Sequence, residues 1–202
     1  MKKVLMTAVA LFAFGFANAQ ESTGEGFSKG NVFVSGSVGF GTESTGDEKM
    51  NEFNFSPKGA YFVTDNIAVG LALGLSSTKT EDASPVEETN TKFSAGVFGR
   101  YYFTPASKFS IFGQLGVNMN SYKDETKNTA SGVTVSTEGN GFDVMLSPGV
   151  SYFLSNHFAI EASFGALGYE TTKPDADGAE STDKFGLELN LSSINFGLVY
   201  KF

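Results

Sequence analysis

The sequence predicts an all-β protein, a single eight-stranded antiparallel up-and-down transmembrane β-barrel that follows a cleaved signal peptide. Three observations predict it. The composition of 24 Gly, 21 Phe, 7 Tyr and no Cys favours strands and turns over helices. A hydrophobic period of two residues runs through most of the chain. The connections between the periodic segments alternate between short and long.

The N-terminus, residues 1–19, has the pattern of a secretory signal peptide. Lys2 and Lys3 precede an apolar stretch from residue 4 to residue 16, and Ala17-Asn18-Ala19 supplies small residues at a cleavage site. The stretch is shorter than the roughly 20 residues that a helix needs to cross a bilayer. We therefore divide the chain into a signal peptide (1–19), a short N-terminal segment (20–30) and a barrel domain (31–202), with Gln20 as the first mature residue.

Charge and cysteine content exclude several classes of function. The formal net charge is −8 and becomes −10 when the signal peptide, with its two lysines, is removed. A nucleic-acid partner is not expected at that charge. The lack of Cys excludes disulfides, thiolate metal sites, a cysteine nucleophile and a lipid-modified N-terminal Cys.

Eight segments alternate large apolar residues with small or polar ones. The third is the clearest, because its odd positions from 67 to 75 are Ile, Val or Leu and its even positions from 68 to 76 are Ala, Gly or Ser. The predicted strands are 32–40, 53–62, 67–76, 93–103, 109–120, 142–152, 158–168 and 185–202. In the last, the apolar parity changes between Leu191 and Ile194, which predicts a bulge near Ser192-Ser193.

The chemistry of the two faces favours a barrel in lipid over a water-soluble sandwich. A sandwich would carry many charges on its polar face, whereas here that face is mostly Gly, Ala, Ser and Asn. Four charged residues share the predicted inward parity: Lys58, Arg100, Asp143 and Glu161. We interpret them as a lumen ion-pair network, with a gate or solute site as the alternative. Since eight strands leave little more room than their own side chains fill, no open pore is expected.

The connections predict two different rims. Those at 63–66, 104–108 and 154–157 are short, whereas those at 43–50, 79–91, 122–138 and 170–184 are long and charged. Aromatic residues flank the short turns and are predicted to form an interfacial girdle: Tyr61-Phe62, Tyr101-Tyr102-Phe103 and Tyr152-Phe153.

The C-terminal run alternates apolar residues and ends in Phe: Phe196, Leu198, Tyr200 and Phe202. With the segments FSPKGAYF at 55–62 and LSPGVSYF at 146–153, it resembles the small outer-membrane β-barrel family of OmpA-type and OmpX-type, porin-like barrels. That resemblance covers roughly residues 27–202 and implies a location in the cell outer membrane of a Gram-negative envelope, with outer-membrane lipid and lipopolysaccharide around the barrel. It also implies that the assembly machinery recognises the C-terminal run. No periplasmic peptidoglycan-binding domain is expected after Phe202.

Candidate chemistry is sparse, so we predict no enzyme activity, no cofactor and no metal site. His157 is the sole His, and with Ser155 it falls in a predicted short turn, away from the outer leaflet where deacylases of similar size place their Ser and His. The acidic residues of the long loops lack calcium-loop spacing and are mixed with lysines, so we expect solvated, mobile loops. They are Glu43, Asp47, Glu48, Glu81, Asp82, Glu87, Glu88, Asp124, Glu125, Asp175, Asp177, Glu180 and Asp183.

The first functional hypothesis is a non-catalytic outer-membrane protein with a structural or surface-interaction role. The alternative is a narrow porin-like channel, or a binder or transporter of small hydrophobic ligands. A lipid-modifying enzyme and a soluble periplasmic lipocalin-like binder are weaker options. The pattern leaves oligomeric state, ligand and surface partner open.

Overall fold

The computed structural model describes residues 24–82, 84–163, 166–188 and 195–202. The signal peptide predicted at 1–19 lies outside these residues. Ten β-strands are present in the described parts: β1 (Val32–Thr45), β2 (Glu48–Phe62), β3 (Ile67–Glu81), β4 (Val86–Tyr102), β5 (Phe109–Asn128), β6 (Thr134–Phe153), β7 (Phe158–Ser163), β8 (Ala166–Pro174), β9 (Thr182–Glu188) and β10 (Asn195–Lys201). Among these residues, there is no helix long and apolar enough to cross a membrane.

All strand pairs are antiparallel, and the sheet closes on itself. Neighbours from β1 to β6 pair in sequence order, β6 pairs with both β7 and β8, and β10 pairs with β7 and returns to β1. Because β7 and β8 both pair with β6, the two segments together take the place of the seventh strand of the barrel, and β9 and β10 together take the place of the eighth. We call these two composite strands the seventh wall and the eighth wall. The predicted eight-stranded up-and-down barrel is confirmed.

The seventh wall is less regular than the sequence predicted. Gly149 of β6 is paired with Ser163, but Leu146 is paired with Leu167, so the β7–β8 side has one residue more than β6 over this stretch. The outward side chains accordingly change from even positions such as Ile160 to odd positions such as Leu167. The expectation of unbroken parity across 158–168 is therefore wrong, because one extra residue turns every later side chain to the opposite face.

The eighth wall changes parity as predicted. Phe185 and Leu187 are exposed on the outside in β9, whereas Phe196 and Leu198 are exposed on the outside in β10. The bulge predicted near Ser192-Ser193 lies outside the described residues.

The two rims differ as the connections predicted. Three short turns separate β2 from β3, β4 from β5 and β6 from β7, and we call this rim the short-turn end. In the first of these turns, the Thr64 hydroxyl accepts a hydrogen bond from the Ile67 amide at 3.0 Å, while the Val63 amide donates to the Ile67 carbonyl at 2.9 Å.

The opposite rim carries four hairpins, and we call it the hairpin end. The long loops predicted there are shorter than expected. The connection predicted at 79–91, for example, is mostly strand, because β3 continues to Glu81 and β4 begins at Val86. The pairing persists through Thr78↔Asn90 and Lys79↔Thr89. Beyond the lipid both faces of a strand meet water, so no apolar alternation marks the strand, although Thr pairs and opposite charges still stabilise it.

The outer face of the barrel is apolar between the rims. Its exposed side chains include Val69, Leu71, Leu75, Phe93, Val97, Phe109, Ile111, Leu115, Val117, Ile160, Phe196 and Leu198. A water-soluble protein rarely exposes a continuous apolar band of this kind, whereas lipid covers it in a membrane barrel.

Candidate functional site in the barrel lumen

Five aromatic rings fill the lumen at the short-turn end. Phe27 lies at the centre, with ring centroids 5.4 Å from Phe33, 4.7 Å from Phe62, 5.0 Å from Tyr102 and 4.8 Å from Phe153. All five residues are at most 2% exposed. We call this cluster the aromatic plug. Rings at these separations add attraction to the burial of a large apolar area.

The segment preceding β1 carries Phe27 into the barrel and is held by main-chain hydrogen bonds. The Phe27 amide donates to the Pro105 carbonyl at 2.7 Å, and the Gly30 amide donates to the Phe62 carbonyl at 3.0 Å. Asn31 organises the bend, because its side-chain oxygen accepts from the Ser28 amide at 2.9 Å.

Lys201 also holds this N-terminal segment in place. Its buried ammonium donates to the carbonyl oxygens of Gly24 and Gly26, both at 2.7 Å. Gly26 has φ of +100°, and a Cβ there would lie 2.6 Å from the Pro105 carbonyl oxygen and from the carbonyl carbon of Ala106. The close approach of two backbones therefore requires glycine at this position.

The predicted aromatic girdle is wrong for three of its seven residues. Tyr61, Tyr101, Phe103 and Tyr152 point outward and are 45%, 47%, 63% and 41% exposed, but Phe62, Tyr102 and Phe153 point into the plug. Adjacent strand residues face opposite sides, so an aromatic pair cannot lie wholly at the interface. The sequence did not predict an inward position for Phe27, because the residues around it show no alternation of apolar and polar side chains. A large aromatic residue among Gly, Ser and Lys was its one signal.

Arg100 lies next to the plug, and each of its three guanidinium nitrogens donates at least one hydrogen bond. Its Nη1 donates to Glu161 Oε2 at 2.6 Å and to the Tyr102 hydroxyl at 2.9 Å. Its Nε and Nη2 donate to Gln114 Oε1 at 3.1 and 2.7 Å. The guanidinium carbon is 4.0 Å from the centroid of the Phe112 ring. The Arg100 side chain is 1% exposed, and this combination of ion pair, hydrogen bonds and stacking is what a buried arginine requires.

Lys58 belongs to the same level of the lumen but is not bonded in the same way. It lies within electrostatic range of both Glu161 and Arg100. Within the described chain, the structure gives its ammonium neither a hydrogen bond nor an ion pair shorter than 4.0 Å. The structure thus brings together three of the four inward charged residues predicted from the sequence.

Asp143 is separate from that group. One carboxylate oxygen accepts a hydrogen bond from Asn118 at 2.7 Å and the other accepts one from Asn120 at 2.7 Å. The Asn120 side chain in turn accepts from the Ser94 hydroxyl at 2.7 Å. Two amides therefore satisfy this carboxylate at 6% exposure without a cation, a pairing that parity alone does not reveal.

A cavity of about 290 Å³ lies between the Arg100 level and the Asp143 level. Its lining is mostly small or polar and includes the side chains of Lys58, Arg100, Gln114 and Asn118. We call it the luminal cavity.

The Ser155–His157 pair has a structural geometry. Ser155 Oγ accepts hydrogen bonds from the amides of His157 and Phe158 at 3.4 and 3.1 Å. The His157 Nδ1 lies 2.9 Å from the carbonyl oxygen of Lys201 and donates its proton there, because a carbonyl oxygen can only accept. The imidazole also stacks on Tyr200, with centroids 5.8 Å apart. These contacts join the β6–β7 turn to the C-terminal strand.

The C-terminal run closes the barrel. Phe202 donates its amide to the Val32 carbonyl at 2.9 Å, and its ring lies 4.7 Å from that of Tyr200. Phe196 and Leu198 are 70% and 64% exposed on the outer face.

Four acidic residues of the hairpin end, Glu81, Glu87, Glu125 and Glu170, form ion pairs with lysines. Lys79 contacts Glu81 at 2.7 Å and Glu87 at 3.1 Å. The hydrogen bond from Lys79 lowers the pKa of the Glu81 carboxyl below its usual value, and the bonds to both carboxylates raise the pKa of Lys79. In the part of the chain described, no three His, Cys, Asp or Glu side chains are grouped to hold a metal ion.

Comparison with known proteins agrees with this architecture. The family model described as outer membrane protein beta-barrel domain matches residues 6–202. No curated protein is significantly similar in sequence.

The solved structures that resemble the barrel include three outer-membrane proteins. Ail, the attachment invasion locus protein of Yersinia pestis, is 16% identical with a TM-score of 0.51, over 86% of this chain and 99% of Ail. OprG of Pseudomonas aeruginosa is 14% identical with a TM-score of 0.50, over 89% and 99%. A major outer membrane protein of Thermus thermophilus is 11% identical with a TM-score of 0.54, over 86% and 98%. At these identities the likeness concerns the fold alone.

Proposed function

This chain belongs to the outer membrane protein β-barrel domain family, and on that premise we propose that it is a non-conducting, non-catalytic barrel that holds hairpins at the cell surface. In barrels of this class the short turns face the periplasm and the longer connections face outward. The aromatic plug would then close the periplasmic side, and the four hairpins would form the surface exposed to the exterior.

One observation carries the non-conducting part of the proposal. Phe27 enters the lumen from a segment outside the barrel wall and packs against four other rings at 4.7–5.4 Å. The Arg100–Glu161 pair lies next to the plug and is also buried. An ion path along the axis would have to pass the apolar layer of the plug and the buried Arg100–Glu161 pair beside it.

The non-catalytic part is supported by the position of the sole His. The His157 ring is bonded to the Lys201 carbonyl in a short turn, and the nearby Ser155 hydroxyl accepts main-chain hydrogen bonds. A nucleophile–base pair requires instead that the base contact the hydroxyl.

The surface role is supported by the hairpins. Their strands remain paired to within a few residues of each tip, as in β3 and β4 up to Glu81↔Glu87. Paired hairpins present side chains in a defined arrangement, which favours specific contact with a partner over simple shielding. As partners we propose outer-membrane lipid and lipopolysaccharide around the barrel, and the assembly machinery at the C-terminal run.

Planar-bilayer recording of the purified, refolded protein tests the proposal. We expect no reproducible current steps from the wild-type barrel, and no change when the outward-facing Tyr101 is replaced in Tyr101→Ala. Reproducible steps from the wild type that change in Arg100→Gln or Glu161→Gln would instead support the narrow channel. The luminal cavity is the one observation that favours that alternative.

A further inference from the structure

We propose that the luminal cavity binds a small anion, a carboxylate-bearing or phosphate-bearing solute, through the ammonium of Lys58. This inference goes beyond the scaffold role and does not depend on it, since a barrel closed at the short-turn end can still admit a solute from the hairpin end.

The first argument is the charge balance of this level of the lumen. Two cations, Lys58 and Arg100, share a single carboxylate, Glu161. The carboxylate is bonded to Arg100 at 2.6 Å, so one positive charge is left over. A half-buried cation without a bonded partner is costly, and an anion that enters beside it removes that cost.

The second argument is the lining of the cavity. Each nitrogen of the Arg100 guanidinium already donates to Glu161, Tyr102 or Gln114, and its charge is paired with Glu161, although Arg100 forms part of the cavity wall. Lys58 therefore supplies the available charge, and the hydroxyl groups of Ser37, Ser56 and Ser147 lie in the same lining. An ammonium beside several hydroxyl donors suits carboxylate or phosphate oxygens.

The third argument is access. A second cavity of about 370 Å³ shares Met145 with the luminal cavity and is lined by Lys92, Glu170 and Lys184. A third cavity, of about 380 Å³, shares those three charged residues and reaches Asp124 on the β5 side of the hairpin end. Lys92 is paired with Glu170 at 3.1 Å, and Asp143 and Asp124 also line these cavities, so the route supplies access from the hairpin end while the attraction for an anion comes from Lys58.

Asp143 does not cancel this preference. Its carboxylate is bonded to Asn118 and Asn120, so its oxygens are already satisfied by amide donors. It lines the second cavity and not the luminal cavity, whereas Lys58 lines the luminal cavity itself.

NMR titration of the full protein refolded in detergent micelles tests the inference, with inorganic phosphate and succinate as separate probes and sodium chloride at matched ionic strength as the reference. We expect saturable amide shifts centred on Ser56, Lys58 and Ser147 with at least one probe. Which probe binds more tightly distinguishes a phosphate-bearing from a carboxylate-bearing solute.

Substitutions identify the group that binds. In Lys58→Met the affinity should fall about tenfold or more, the effect of losing one charge-assisted hydrogen bond, whereas Lys58→Arg should retain binding. Lys29→Met, which removes an exposed lysine outside the lumen, should bind as the wild type does. Heat-modifiable gel migration shows that each variant is folded. Absence of saturable shifts with both probes, or equal affinity in folded Lys58→Met, overturns the inference.

Discussion

Arg100 and Glu161 form an ion pair of 2.6 Å across the lumen, with side chains 1% and 9% exposed. Arg100 lies on β4 and Glu161 on β7, and these strands are not neighbours in the sheet. The bond therefore connects walls that no ladder of backbone hydrogen bonds joins directly. Since both charges are buried, each is stabilised by the other. Lys58 also lies within electrostatic range of Glu161, so loss of Glu161 and loss of Arg100 should destabilise the barrel to different extents.

Glu161→Gln is expected to destabilise the barrel more than Arg100→Gln. Glu161→Gln leaves Arg100 and Lys58 without a carboxylate, and an uncompensated buried charge lowers the free energy of unfolding by about 3–5 kcal/mol. Arg100→Gln leaves Glu161 within range of Lys58, which can serve as a substitute partner. Urea unfolding in lipid vesicles, followed by gel migration, measures both free energies.

The double variant Arg100→Met/Glu161→Leu is the control for this pair. Replacement of both charges by apolar groups should cost less than Glu161→Gln alone, because no charge of the pair remains buried. Equal costs for the two single variants would contradict the role assigned to Lys58.

Phe27→Ala is expected to release the N-terminal segment while the barrel remains folded. Loss of a buried Phe costs about 3–5 kcal/mol, and this segment can detach locally. Hydrogen exchange should accelerate at the amides of Phe27 and Gly30, which bond to Pro105 and Phe62. Lys29→Ala, at an exposed site in the same segment, should leave both amides protected. Unchanged protection in Phe27→Ala would show that the ring does not hold the segment.

Gly26→Ala is expected to be more harmful than Gly46→Ala. Both positions have positive φ, which costs an L-residue roughly 1–2 kcal/mol. The new methyl group would also collide with Pro105 and Ala106 at position 26, but would meet nothing within 4 Å at position 46. Urea unfolding and hydrogen exchange of residues 24–30 compare the two variants. Equal effects would mean that the Pro105–Ala106 turn moves away freely.

Lys79→Gln is expected to return the pKa of the Glu81 carboxyl towards its usual value of 4.5. The hydrogen bond from Lys79 lowers that pKa, so its contribution to hairpin stability is present above pH 4.5 and is lost as the pH falls through the lower folded-state pKa. Carboxyl-carbon NMR titration measures the shift. Lys123→Gln, in another hairpin, should leave Glu81 unaffected, and a persistent low pKa in Lys79→Gln would assign the shift to a different group.

Phe202→Ala is expected to reduce the amount of protein in the outer-membrane fraction of cells. If the assembly machinery recognises the terminal residue, refolding of the purified variant into detergent should change much less, because the strand pairing of β10 with β1 and β7 remains. Phe185→Ala, an exposed Phe on β9, is the matched control. Equal losses in cells for both variants would argue against recognition of the C-terminal run.

The strand pattern was predictable because the pleat makes alternate side chains point to opposite faces. The odd-numbered Ile, Val and Leu of 67–75 were therefore enough to orient β3, and the same rule placed Arg100 and Glu161 inside. The rule failed at 158–168, where one extra residue reversed the parity, and at the hairpin end, where water on both sides removes the apolar alternation that marks a strand.

By itself, the sequence determined the closed eight-stranded architecture, the inward and outward faces, the two unlike rims and the parity change of the last strand. These follow from local periodicity and from turn length. Only the tertiary structure decided that Phe27 fills the short-turn end, that Glu161 pairs with Arg100 rather than Lys58, and that Asp143 is satisfied by two asparagines. Those contacts join residues far apart in the chain, and their partners depend on barrel closure and on the register between strands, which no local pattern specifies.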